Sequence, residues 1–145
     1  MTTEPEPTPY LPGDPELRSI LGDARTIAVV GLSSNPDRTS FEIAKYLQDK
    51  GYKIIPVNPG ETEVLGERAY ASLDDVRGPV DVVDVFRRAA DTPPIAAQAV
   101  AIGAKVLWLQ DGIVNDDARR IAEDAGLTVI MGVCIRTTDR RLGGE

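Results

Sequence analysis

The sequence predicts an α/β domain built on a doubly wound, five-stranded parallel sheet with helices on both faces. Five short runs are nearly continuous in β-branched and other apolar residues, as is typical of strands covered on both faces: 26–31, 52–58, 80–86, 104–110 and 127–132. Segments with helical spacing separate these runs, so strands and helices alternate along the chain. We therefore predict one domain over residues 14–145, with strand order 3-2-1-4-5.

Helix-start signals open the segments between the strands. In chain order they are Asp14-Pro15, the capping-box pair Thr39 and Glu42, Thr92-Pro93, and Asn115. The second of these helices is predicted to end at Gly51. Residues 59–79 are predicted to be loop, with at most one helical turn at 72–76. Residues 1–13 contain four prolines and no apolar period, and we interpret them as a flexible or extended arm.

The composition narrows the classes of partner. The chain has 145 residues, of which 42% are hydrophobic and 27% charged, as in ordinary globular domains. No apolar run approaches the ~20 residues that span a bilayer, so we expect no membrane partner and a cytoplasmic location. The net charge of −7 argues against nucleic acid, whose binding needs a basic face. An anionic small ligand can bind only where local N–H groups and basic side chains overcome this charge.

Two absences exclude whole classes of chemistry. The sequence contains no histidine and a single cysteine, Cys134. A Ser-His-Asp triad, a zinc site built on histidine or several thiolates, and an internal disulfide are therefore excluded. We predict no metal site and no catalytic residue.

The loop "GLSSNPDRTS" (31–40) is the strongest candidate for a binding site. Ligands of doubly wound sheets bind at the carboxyl ends of the strands, and this loop joins the first strand to a helix N-terminus. Free N–H groups and the helix dipole favour an anion there, and the loop adds hydroxyl groups and Arg38. We predict that the loop binds phosphate.

The loop departs from a dinucleotide fingerprint. Of the pattern G-x-G-x-x-G, only the first glycine is present, as Gly31. The second strand ends Val57-Asn58-Pro59 and lacks the carboxylate that bonds the ribose of NAD. Both departures argue against NAD.

Other polar residues receive structural interpretations. Asp81 and Asp84 lie in the third apolar run, and we expect them to guard an edge strand against pairing with other sheets. Trp108 is expected in the core. For Phe86 and Arg87, which follow the third strand, both packing or solvent exposure and ligand contact stay open.

Several motifs together resemble the small standalone CoA-binding proteins. They are "IAVVGLSSNPDRTSFEIAKYLQDKGYKIIPVNP", "PVDVVDVFR", "VLWLQDGI" and a final C-x-x-x-x-x-R-R-L. The match runs from about Asp14 to Leu142. The resemblance implies a Rossmann-like domain similar to the N-terminal CoA-binding domain of the succinyl-CoA synthetase alpha subunit, with coenzyme A as the ligand. The tail departs from the family pattern, since Thr138 and Asp139 stand where Glu and His are usual.

The resemblance also implies roles for individual residues. The diphosphate would lie on the loop at Gly31, Ser33, Ser34, Arg38 and Ser40, with Lys53 supporting the phosphates. Val57, Asn58 and Pro59 would line the adenosine pocket. Phe86 and Arg87 would flank the pantetheine and phosphates, and Gln110 with Gly112 would meet the pantetheine arm. Cys134 could approach the CoA thiol, although a lone cysteine more often packs as a small hydrophobe.

The sequence therefore predicts a protein that binds CoA or an acyl-CoA without self-sufficient catalysis. Three alternatives stay open: an accessory subunit of an acyl-CoA ligase, an NAD(P)-linked oxidoreductase or redox sensor, and an interaction module with a vestigial pocket. A homo-oligomer or a partner subunit is compatible with each of them.

Overall fold

The computed structural model describes residues 7–143. Its strands are β1 Thr26–Val30, β2 Lys53–Val57, β3 Glu63–Val64, β4 Glu67–Arg68, β5 Val82–Val85, β6 Val106–Leu109 and β7 Thr128–Met131. Five of them form a parallel sheet in the order β2-β1-β5-β6-β7, while β3 and β4 form a separate antiparallel hairpin. The predicted fold class, with its five-stranded parallel sheet, is confirmed.

The strand order has one rudimentary member. In the predicted order 3-2-1-4-5 the third strand lies beyond β2, and a single parallel bridge between Tyr70 and Val57 takes that place. The order holds when this bridge counts as the third strand. The segment 80–86, which we predicted at that edge, instead forms β5 in the centre of the sheet, between β1 and β6. The expectation that Asp81 and Asp84 guard an edge is therefore wrong.

Helices cover both faces of the sheet. They are α1 Asp14–Asp23, α2 Thr39–Asp49, α3 Thr92–Ala101, α4 Asp116–Asp124 and α5 Ile135–Arg141. Successive side chains of a strand point to opposite faces, so each strand contributes to two cores. Ile27 and Val29 of β1 pack with α1, α2 and α5, whereas Ala28 and Val30 pack with α3 and α4. Trp108 is fully buried, as predicted.

The helix signals were partly correct. Asn115 caps α4 by accepting a hydrogen bond from the N–H of Ala118 at 2.9 Å. A 3-10 turn occupies Leu73–Asp75, inside the predicted 72–76. The capping box at Thr39 is not formed, because the residue before α2 is Arg38 and no side chain caps the helix. Helix α5 was not predicted, because its sequence "IRTTDRR" has no apolar period.

The N-terminal arm is partly ordered. Tyr10 pairs with Met131 at the edge of β7, through hydrogen bonds of 3.0 and 2.8 Å in the two directions. The Tyr10 hydroxyl also donates to Glu123, and the guanidinium of Arg119 lies over the Tyr10 ring at 4.9 Å. The predicted flexibility of residues 1–6 lies outside the described residues. Within residues 7–143, no helix is both long and apolar enough to cross a membrane.

Candidate functional site

The carboxyl ends of β1, β2 and β5 surround a pocket of about 590 Å³. It has one wall from the loop after β1 and the start of α2, and another from the residues that follow β2 and β5. Its lining residues are Gly31, Ser33, Asp37, Arg38, Thr39, Ser40, Asn58, Phe86 and Arg87. Six of the predicted loop and strand-end residues thus meet with Asn58 around one cavity, at the edge of the sheet where doubly wound folds bind ligands.

The floor of this pocket requires a glycine. Gly31 has φ +89, and its N–H donates to the carbonyl of Val57 at 2.8 Å. A Cβ built on Gly31 would lie 2.4 Å from the carbonyl oxygen of Phe86 and 3.4 Å from Nε of Arg87. The two backbone segments therefore touch at this position, and the Arg87 side chain lies directly over it.

The N-terminus of α2 opens into the pocket without a cap. Arg38 precedes the helix and provides no side-chain cap. The N–H groups of Thr39 and Ser40 have no acceptor within residues 7–143. The hydroxyl of Ser40 instead accepts a hydrogen bond from the N–H of Ser33 at 3.1 Å, which holds the loop against the helix. Two unpaired N–H groups at the positive end of a helix dipole form a binding site for an anion.

Two arginines add positive charge to the same wall. Arg38 is exposed and Arg87 is half-buried, and both line the pocket. Neither forms an ion pair in the part of the chain that the structure describes. Asp37 is the one carboxylate among the lining residues. The surroundings of the helix N-terminus are thus locally cationic, in a chain whose net charge is −7.

A turn after β2 clasps the loop from the other side. The Nδ2 of Asn58 donates to the carbonyl of Leu32 at 3.1 Å, and its Oδ1 accepts from the N–H of Gly60 at 3.0 Å. The N–H of Glu61 donates to the carbonyl of Asn58 at 3.1 Å, which closes the turn. The carboxylate of Glu61 then accepts from the N–H of Ser34 at 2.8 Å. Sequence reasoning missed Glu61, because only the turn brings it back to the loop.

Some predicted site residues lie elsewhere. Lys53 pairs with Thr26 at the amino end of β2, about 13 Å along the strand from Val57. That distance exceeds the reach of its side chain, so the geometry does not support contact with phosphates at the loop. Val57 is buried in the core beneath α3 and α4. Pro59 is exposed in the turn after β2.

The two residues predicted for the pantetheine arm are also outside the pocket lining. Gln110 is buried, and its Oε1 accepts a hydrogen bond from the N–H of Ile135 at the start of α5, at 3.1 Å. Gly112 is exposed in the turn after β6, with φ +76. Gln110 therefore acts in the structure as a support for α5.

A second polar cluster lies between the sheet and α5. Burial opposes ionisation of the Cys134 thiol, but the N–H and hydroxyl of Thr137, helped by Gln110, lower its pKa below the ordinary value. Asp84 is fully buried, and neither of its carboxyl oxygens has a hydrogen-bond partner. Burial first, and the negative charge of a Cys134 thiolate second, raise the pKa of Asp84 well above its usual range. Neither residue lines the pocket.

The described residues hold no group of three or more side chains placed to bind a metal ion.

Comparisons with known proteins agree with this arrangement. A family model described as a CoA binding domain matches residues 25–139. The uncharacterized protein YneT of Bacillus subtilis is 46% identical over 125 residues, which cover 86% of this chain and 93% of that protein. An ADP-forming acetate–CoA ligase II of Archaeoglobus fulgidus is 30% identical over 111 residues, which cover 75% of this chain but only 16% of the ligase. A hypothetical protein from Pyrococcus horikoshii OT3 has a similar solved structure, with a TM-score of 0.87, 38% identity, and coverage of 90% of this chain and 92% of that one.

Proposed function

Since this chain belongs to the family of CoA binding domains, we propose that it binds coenzyme A or an acyl-CoA and has no self-sufficient catalysis. The observation that supports this most directly is the uncapped N-terminus of α2, where the N–H groups of Thr39 and Ser40 open into a pocket flanked by Arg38 and Arg87. This arrangement suits the diphosphate of a nucleotide, because an anion there satisfies both N–H groups and meets two cations.

The residues around the cavity fit the parts of such a ligand. Gly31 provides a floor without a side chain, so a phosphate can approach the backbone closely. We propose that Ser33, Ser34 and Ser40 shape the loop, while Asn58 and Pro59 border the adenosine. Phe86 and Arg87 then flank the chain of the ligand beyond its phosphates. Lys53 is left out of this proposed site because of its distance from the loop.

The lack of self-sufficient catalysis rests on what the chain shares with the ligases. It matches a small part of the Archaeoglobus fulgidus ligase, and it contains no histidine. The pocket of about 590 Å³ is lined by groups that bind and orient an anion, with no nucleophile and base in contact. A partner subunit that supplies the remaining chemistry is compatible with this proposal.

The test is thermal unfolding with CoA, acetyl-CoA, NAD and ATP at equal concentrations. A ligand bound only by the native state adds RT ln(1 + [L]/Kd), about 2.7 kcal/mol at a hundredfold excess over Kd. We expect CoA or acetyl-CoA to raise the midpoint and NAD to leave it unchanged. Arg87→Gln should weaken CoA binding about tenfold, as expected for loss of one charge-assisted contact.

Arg88→Gln is the matched control, because Arg88 is exposed, is paired with Asp91 at 3.1 Å and does not line the pocket. No shift with either CoA compound would contradict the proposed function. Acetyl-CoA formation by the chain alone, given acetate, ATP and CoA, would contradict the lack of catalysis.

A further inference from the structure

The carboxylate of Glu61 already occupies one N–H group of the loop. The turn that starts at Asn58 is closed by the 3.1 Å bond from the N–H of Glu61, so the Glu61 side chain leaves the turn in a fixed direction. Its Oε2 lies 2.8 Å from the N of Ser34. An N–H group that donates to a carboxylate is not available to a phosphate. The loop therefore offers its anion site at the N-terminus of α2 and not at Ser34.

The charge of Glu61 is not neutralised by a basic side chain. Within residues 7–143 no lysine or arginine forms an ion pair with it, and its second oxygen, Oε1, has no hydrogen-bond partner. The site consequently has two unlike sides. Arg38 and Arg87 make the side at α2 cationic, whereas Glu61 makes the side after β2 anionic.

The anionic side lies where a doubly wound sheet places the ribose of an adenosine ligand. In such folds the diphosphate lies at the N-terminus of the first helix, and the end of the second strand contacts the ribose. A carboxylate at that strand end accepts a hydrogen bond from a free ribose hydroxyl, whereas a cation there accommodates a ribose phosphate. Glu61, four residues beyond the end of β2, supplies the carboxylate.

We propose that Glu61 determines specificity at this site, by favouring an adenosine ligand with a free ribose hydroxyl over one that carries a phosphate on the ribose. This inference rests on the proposed function and narrows its ligand class. Coenzyme A carries a 3′-phosphate on its ribose, and dephospho-CoA differs from it only by lacking that group. The two compounds therefore isolate the interaction with Glu61.

The experiment measures Kd for CoA and dephospho-CoA by calorimetry, for the wild type and two variants. Wild-type protein should bind dephospho-CoA at least as tightly as CoA. In Glu61→Gln the ratio Kd(CoA)/Kd(dephospho-CoA) should fall at least about fivefold, the effect of removing one like charge about 4 Å away in water. Glutamine keeps an oxygen that can accept from Ser34, so the loop retains its contact while the charge is lost.

Glu63→Gln is the matched control, since Glu63 is exposed, lies two residues away and undergoes the same change of charge. Its ratio should equal that of the wild type. An unchanged or increased ratio in Glu61→Gln, with both ligands bound, would overturn the inference and leave the proposed function standing. Wild-type protein that prefers CoA to dephospho-CoA would also overturn it. Failure of the wild type to bind either compound would overturn the proposed function and this inference together.

Discussion

Gly31 joins the core to the pocket through a contact that no other residue type permits. Replacing it by alanine would place a methyl group 2.4 Å from the Phe86 carbonyl, in a backbone with φ +89. We expect Gly31→Ala to lower the free energy of unfolding by about 3 kcal/mol, because strain in the backbone adds to a steric clash. Urea denaturation measures this change.

Gly51 provides the control for backbone strain alone. It has φ +105, but a Cβ there would meet nothing within 4 Å. Gly51→Ala should therefore cost only about 1–2 kcal/mol. Equal costs at the two positions would show that the contact with Phe86 is unimportant.

Individual residues differ in how well the sequence predicts their place. Gly31, Arg38 and Ser40 follow directly from a strand that leads into a helix, and all three line the pocket. Lys53 was assigned from the family resemblance, although a residue that opens a parallel strand lies at the edge opposite the ligand. Glu61 could not be assigned at all, because its contact with Ser34 depends on the geometry of a turn.

At the level of elements, β5 is unusual for the acid at its centre. All five strands of the sheet are apolar and buried, so their composition does not show which of them is central. The charges of Asp81 and Asp84 suggested an edge, but the structure uses them differently. Asp81 accepts hydrogen bonds from the N–H groups of Arg25 and Thr26 at 2.7 and 3.0 Å, whereas Asp84 is buried without a partner.

These environments predict opposite pH dependences for two neighbouring aspartates. Burial raises the pKa of Asp84, so the folded state keeps its proton while the unfolded state releases it near 3.8. The free energy of unfolding consequently falls as pH rises from about 4 to about 7. Asp84→Asn abolishes this loss, and we expect the variant to be more stable than the wild type at neutral pH by about 1–3 kcal/mol.

Asp81→Asn is the control with the opposite sign. Burial opposes ionisation of Asp81, but the N–H groups of Arg25 and Thr26 together with Lys105 lower its pKa below 3.8. Its contribution to stability is present above that value and is lost as pH falls. Asp81→Asn should therefore destabilise the protein at neutral pH and less so in acid. Urea denaturation at about pH 4 and about pH 7 separates the two, and parallel behaviour would contradict the assignment.

For the whole molecule, both edges of the sheet are covered by a single tyrosine bridge. Tyr70 pairs with β2, and Tyr10 of the arm pairs with β7. An uncovered edge strand is a template for pairing with another chain. We expect removal of residues 1–12 to lower the thermal midpoint and to cause self-association, whereas removal of residues 1–6 alone should leave Tyr10 in place. Light scattering after gel filtration would detect the difference, and a stable monomer without residues 1–12 would refute it.

The architecture as a whole was the most predictable level. Alternation of apolar runs and helix signals is a property of the entire chain, so the fold class did not depend on any single residue. The arm was harder, since four prolines suggest flexibility while the pairing of Tyr10 with Met131 depends on tertiary contact. Helix α5 was missed for the same reason: the buried Gln110 supports its start, and its own sequence has no helical pattern.

The uncapped start of α2 couples ligand occupancy to helix integrity. A side-chain cap at such a position is worth about 1 kcal/mol, and Arg38 does not provide it. An anion at Thr39 and Ser40 takes the role of the missing cap. Binding and the final tightening of this helix are then one thermodynamic event, and the empty protein keeps a helix end that only its ligand completes.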